Sequence, residues 1–181
     1  MKKILLFLLI FSGAKIASAQ YKPVDQGSAL TFKIGNFGFD VNGTFNGFQG
    51  TINFDPKNLD NSNFDVSIDA NTVNTDNSLR DKHLKDGDYF DVKNNPRISF
   101  VSEKIVAAKN GSYTMNGKLT IKGKTKEISF PFTGVPMDNG YVFKGSFKIK
   151  RKDFGVGGTS TIANELEVNL NVHAIPASNN I

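Results

Sequence analysis

From Leu30 to Val172 apolar side chains recur at every second position, in run after run, with polar residues between them. That is the period of a strand with one buried face, because successive side chains along a strand point to opposite sides. Leu30, Phe32 and Ile34 alternate with Thr31 and Lys33, and Phe37, Phe39 and Val41 continue in the opposite parity. A bulge at Gly35-Asn36 would restore the same facing. Ile52 and Phe54 follow, then Phe64, Val66, Ile68 and Ala70, then Ile98 and Phe100. The later runs are Met115, Gly117, Leu119 and Ile121; Ile128, Phe130 and Phe132; Phe143, Gly145, Phe147 and Ile149; and Leu166, Val168, Leu170 and Val172. Turn-forming residues separate them at Asp55-Pro56, Asn110-Gly111, Lys122-Gly123-Lys124 and Asp138-Asn139-Gly140. The pattern predicts an all-β domain of about eight antiparallel strands with no long helix to cover them. Such strands bury their apolar faces either as a two-sheet sandwich or as a closed barrel. Periodicity alone leaves both open, and it does not say whether a barrel interior is filled or holds a ligand.

One stretch, Asn71 to Phe100, breaks the period. Between Asn77 and Lys85 the spacing becomes helical, and Arg80, His83 and Leu84 at i, i+3 and i+4 are expected on one face of a short helix. Asp76 is the expected N-cap and Gly87 the expected stop. Tyr89 and Phe90 come next, and Asn94-Asn95-Pro96 breaks the chain before the strand of Ile98. In a chain of strands, a helical excursion of this length is expected to close something.

Residues 1–19 read as a signal peptide: Lys2 and Lys3 precede the apolar run Ile4 to Phe11, and Ala17-Ser18-Ala19 has the small-x-small form of a cleavage site. The run is too short to span a bilayer, and no later run approaches the roughly 20 residues required. Residues 20–181 are then expected to form one exported domain, periplasmic or secreted, that does not span a membrane. Removing the segment takes away Lys2, Lys3 and Lys15 and no acid, so the net charge falls from +5 to +2. The remaining basic residues are dispersed among acids, which gives no case for nucleic acid. With no cysteine, the domain must stand on its apolar core without disulfides or a thiolate metal site. A zinc site usually needs three protein ligands, and the chain has two histidines. His173 follows Val172 and should face outward. No nucleophile-elbow pattern such as G-x-S-x-G is present. No catalytic residue, metal or cofactor is therefore assigned.

The residues also resemble the YceI-like family of exported polyisoprenoid-binding proteins, over nearly the whole of 20–181. The matching blocks begin with Ser28-x-Leu30-x-Phe32-x-Ile34, Gly43-x-Phe45 and Gly50-x-Ile52-x-Phe54-Asp55. They continue with Asn71-x-x-x-Thr75, Arg80-Asp81-x-His83-Leu84, Asp88-Tyr89-Phe90-Asp91 and Pro96-x-Ile98-x-Phe100. Gly117-Lys118-Leu119-Thr120-Ile121-x-Gly123-x-Thr125-Lys126 and Phe147-x-Ile149-x-Arg151-x-Asp153-Phe154-Gly155-Val156 complete the set. The resemblance implies an eight-stranded, antiparallel, lipocalin-like barrel with one short helix between strands, whose lumen holds a long isoprenoid or similar amphiphilic lipid. It implies a carrier rather than an enzyme. The family pattern usually has His before the Ser of the first strand, where this chain has Gly27, and a basic residue or His where it has Asn36.

Alternation and resemblance together assign the lumen to Phe32, Phe39, Val41, Ile68, Leu119, Phe130, Phe132, Phe143, Phe147 and Leu170. Burying each methylene is worth roughly 0.8 kcal/mol, so a lipid chain would need few polar contacts. For the head group the candidates are Arg80, His83 and Arg151, because arginine suits phosphate through bidentate hydrogen bonds. The other reading of Arg80 and Arg151 is that they tie the helix to the barrel through Asp81, Asp91 or Asp153. Transient contact with a membrane and a homodimer both remain open. The competing function is a non-catalytic β-sandwich or barrel binding a protein or glycan through its Asn-rich loops.

Overall fold

The structure, a computed structural model, describes residues 20–177; the expected signal peptide lies outside the described residues. Eight strands run in sequence order around one closed barrel, β1 (Gln20–Asn36), β2 (Phe39–Asn53), β3 (Asn63–Asn74), β4 (Arg97–Ala107), β5 (Tyr113–Ile121), β6 (Lys124–Met137), β7 (Gly140–Lys150) and β8 (Glu165–Pro176). Each pairs antiparallel with the next, and β8 returns to β1 through pairs such as Phe32 with Val168. Closure leaves no free sheet edge, which settles the choice between sandwich and barrel.

The β1–β2 connection differs from the sequence expectation. There is no bulge at Gly35-Asn36; the chain reverses at Phe37-Gly38, and Asn36 pairs with Phe39. Both turn residues have positive φ, 50° and 83°, as a two-residue hairpin of primed type requires. Gly38 adopts this freely. Phe37, with a bulky side chain, does not.

Charged side chains on the strands point outward and pair across neighbouring strands: Lys33 with Asp40, Lys118 with Glu103, and Lys148 with Glu165. This is polar-out and apolar-in, the reverse of a membrane-spanning barrel. Among the described residues no helix is long and apolar enough to cross a membrane. His173 lies between the inward positions of β8, and its ring occupies the space beside Gly27, where a Cβ would come within 2.8 Å of it.

The two ends of the barrel are built differently. At the end holding the β2–β3, β4–β5 and β6–β7 connections, Phe54 is 3% exposed. It meets Phe64, Tyr113, Phe132, Tyr141 and Phe143 edge to face, with ring centroids 5.3 to 6.1 Å apart. At the opposite end, helix α1 (Ser78–Lys85) lies in the β3–β4 connection. Its N-cap is Asn77, not Asp76: the Asn77 carboxamide oxygen accepts from the Arg80 N–H at 3.0 Å, while Asp76 takes φ 58° in the preceding turn. The helix ends at Asp86, one residue before the expected glycine. Leu84, Tyr89, Phe90 and Val92 then pack onto the barrel core, with Phe90 edge to face on Phe45 at 5.3 Å.

Candidate functional site

Alternation sends one row of apolar side chains from every strand inward, and the barrel is too wide for them to meet everywhere. Two cavities remain. The lower one, above the Phe54 cluster, has a cavity volume of about 130 Å³, and the upper one, beneath α1, about 150 Å³. Leu30, Ile68, Ile98, Leu119 and Phe147 line both, so the cavities are adjoining halves of one lumen that meet at this belt.

Nine of the ten residues assigned to the lumen from sequence line it. Ile68, Leu119 and Phe147 belong to the belt; Phe130, Phe132, Phe143 and Leu170 face the lower half; Phe32 and Val41 face the upper half. Phe39 does not. It keeps the inward parity of β2, but the hairpin carries it past the rim, and it is 78% exposed. The sequence reading missed Phe45, Phe48 and the closing residues Tyr89 and Phe90. Phe45 and Phe48 lie in a stretch where Gly43, Gly47 and Gly50 interrupt the alternation; Gly47 and Gly50 have positive φ, and the β2–β3 register shifts there. The aromatic pair after the helix was visible, but its inward direction depends on how the loop folds back.

Ser67, Ser99 and Lys144 border the lower half, but they alternate with the inward Ile68, Ile98 and Phe143 on their strands; the polar side chains Asn36, Thr75, Arg80 and Arg151 border the upper half. Arg80 lines it, held by Thr75: Nε donates to Thr75 Oγ1 at 2.7 Å and Nη2 to the Thr75 carbonyl at 2.6 Å. Thr75 in turn donates to the Asp81 carboxylate at 2.5 Å, which also caps the Thr75 N–H. Arg80 Nη1 has no hydrogen-bond partner among the described residues. Arg151 lines the same cavity at 5% exposure. Its guanidinium donates only to main-chain carbonyls, those of Val156, Gly158, Ser160, Ile162 and Ala163, at 2.7 to 3.4 Å. Neither arginine ties the helix to the barrel through Asp91 or Asp153. Arg151 instead winds the β7–β8 loop around itself, and that loop reaches the post-helix segment through the Gly157 N–H to the Asp88 carbonyl, 2.8 Å.

No carboxylate among the described residues forms an ion pair with Arg151. Five carbonyl dipoles satisfy its donors without cancelling its charge, so the cavity roof carries a buried cation. In the lining of the same cavity, Asn36 Oδ1 is buried without a hydrogen-bond partner among the described residues. His83 is the second misplaced assignment. Arg80 and Leu84, four apart, both face the cavity, whereas His83 falls on the exposed side of α1.

No group of three or more His, Asp or Glu side chains that could hold a metal ion occurs among the described residues.

A family model for the YceI-like domain matches residues 21–174. The chain belongs to the YceI-like family. A UPF0312 protein of Pseudomonas paraeruginosa is 34% identical over 176 residues, covering 92% of each chain. Among solved structures, BcnA of Burkholderia cenocepacia superposes with a TM-score of 0.75 at 28% identity, covering 80% of this chain and 94% of that one. A polyisoprenoid binding domain from Saccharophagus degradans superposes at 0.69 over 88% of this chain and 99% of that one; at 14% identity this likeness is one of fold. The YceI-like barrel was thus legible in the motif blocks before any coordinates.

Proposed function

We propose that the protein is an exported, non-catalytic carrier that encloses the chain of a long isoprenoid or similar amphiphilic lipid in the barrel lumen. The observation that carries this reading is the polarity gradient of the lumen. The lower half is walled by Ile52, Phe64, Phe130, Phe132 and Phe143, and the upper half adds Asn36, Thr75, Arg80 and Arg151. An apolar chain directed downward gains burial at every methylene. A polar head left under α1 would meet the free Nη1 of Arg80, the unpartnered oxygen of Asn36 and the field of Arg151. A hydroxyl satisfies that set, donating to Asn36 Oδ1 and accepting from Arg80 Nη1, and a phosphate suits the two arginines but needs a protonated oxygen to serve Asn36; a simple hydrocarbon does neither. The name of the Saccharophagus domain points to the same ligand class. The signal-peptide reading of residues 1–19 supports delivery outside the cytoplasm.

The test is native mass spectrometry of the mature protein taken from its own envelope fraction, with extraction of any bound lipid and uptake of a fluorescent polyprenyl probe. A one-to-one adduct that extracts as a polar-headed isoprenoid is expected. Leu119→Arg, which sets a charge in the belt between the two halves, is expected to abolish uptake while the far-ultraviolet circular dichroism stays that of a β protein. Absence of adduct and of probe uptake in the wild type, or full uptake by a folded Leu119→Arg, defeats the reading.

A further inference from the structure

We propose that the α1 end of the barrel docks on a lipid bilayer, with Phe37 and Phe39 at the β1–β2 hairpin tip and Leu79 on α1 entering the headgroup layer. These are the three most exposed large apolar side chains among the described residues, at 75%, 78% and 75%. All three sit at one end of the molecule, around one opening. Asn36 and Val41, next to the hairpin tip, and Arg80, next to Leu79, line the upper cavity. The apolar tips are therefore continuous with the cavity rim rather than scattered over the surface, where single exposed side chains would need no explanation.

A second observation separates this tip from ordinary turn chemistry. A two-residue primed hairpin is formed at least cost by Asn-Gly or Asp-Gly. Here the first position is Phe37, held at φ 50° with its ring in solvent. Neither the turn nor the core uses the aromatic ring, and a strained, exposed residue beside an opening points to a role outside the fold. Exposed Lys82, Lys150 and Lys152 make no ion pair among the described residues and lie at the same end, where they can face lipid phosphates. Asp76, Asp86 and Asp88 are exposed there too, so the contact is apolar first and does not demand an anionic membrane.

The purpose of docking rests on the carrier reading: a lipid passing between bilayer and lumen through this opening would never expose its chain to water. The docking itself does not depend on it. The chain contains no tryptophan, so the indole introduced by Phe39→Trp is a sole reporter. With ligand-free vesicles of phosphatidylethanolamine and phosphatidylglycerol, its emission is expected to shift to the blue and to be quenched by brominated acyl chains. In flotation, the double variant Phe37→Asn, Phe39→Ser is expected to bind these vesicles at least about tenfold more weakly than wild type. Asparagine tolerates the left-handed turn position, so the fold should be kept. Uptake of the polyprenyl probe from detergent solution should be unchanged. Undiminished flotation of the double variant overturns the proposal. So does a wild type that ignores vesicles but sediments as a dimer that the double variant dissolves, which would assign the tip to a second copy. Vesicle binding by a wild type that takes up no probe would support docking and defeat the carrier reading.

Discussion

The two ends of the barrel are covered by different chemistry. Below, a single phenylalanine, Phe54, sits at the centre of five edge-to-face aromatic contacts, with no charge in the cluster. Above, a helix, a loop and two arginines form a roof in which hydrogen bonds carry much of the organisation. Edge-to-face aromatic packing is dense and strengthens with burial. Hydrogen bonds of the roof can exchange for water, which close-packed rings cannot do, so the roof is expected to be the end that opens first. The lower end is held by packed rings; the upper end buries Phe154 and Val156 and adds the polar side chains of the lumen.

The largest expected effect tests the lower end. Phe54→Ala removes a nearly fully buried ring and leaves a cavity the surrounding rings cannot fill, which should cost about 3–5 kcal/mol of folding stability. Urea unfolding followed by circular dichroism measures it. Phe90→Ala is the counterpart at the upper end, where the ring is only half-buried against Phe45, and should cost about half as much. Equal losses would mean that the roof is a second plug and would remove the distinction.

Arg151 gives the next effect. Lysine at this site keeps the charge but offers three donors to five carbonyls arranged for a planar guanidinium. Arg151→Lys should cost about 2–3 kcal/mol. The more specific readout is local: hydrogen exchange at the Gly157 N–H, which bonds Asp88, should accelerate, while amides flanking Phe54 change only in step with global stability. Acceleration spread evenly over both ends would show that the roof is not an independent unit.

These two ends were also unequally legible in the sequence. Strand faces follow from period 2, so Ile68, Leu119, Phe130, Phe132, Phe143, Phe147 and Leu170 could be sent inward without coordinates. The same rule failed at Phe39, because parity gives the side of the sheet and not the height along the barrel. The unexpected reversal at Phe37-Gly38 set that height. It failed again near Gly47 and Gly50, where backbone of positive φ shifts the β2–β3 register. On α1, spacing of three and four residues spans an arc, and the cavity admits Arg80 and Leu84 but not His83. The partners of Arg151 could not be read at all: a sequence shows Asp153 two residues away, whereas the fold supplies carbonyls from residues 156 to 163. Long-range main-chain hydrogen bonding leaves no residue-type signature.

The smallest expected effect concerns alkali. Burial pushes the Tyr141 phenol above its usual value of 10.0, with neighbouring Tyr21, Asp55 and Tyr113 adding in the same direction. The fold thus favours the neutral phenol. The associated stability is fully present below pH 10.0, the unfolded value, and is lost as pH rises through the higher folded one. The exposed ammonium groups of Lys33 and Lys148 are also raised, each chiefly by its side-chain hydrogen bond, to Asp40 and Glu165, and these contributions disappear over a similarly alkaline range. Salt separates the two. Exposed pairs are screened within about 3 Å at 1 M ionic strength, whereas desolvation of a phenol is not. In high salt, Tyr141→Phe should therefore shift the alkaline unfolding midpoint upward, and Lys148→Gln should leave it in place. A midpoint that follows Lys148 rather than Tyr141 would move the alkali-sensitive step away from the Phe54 cluster and onto the strand surface.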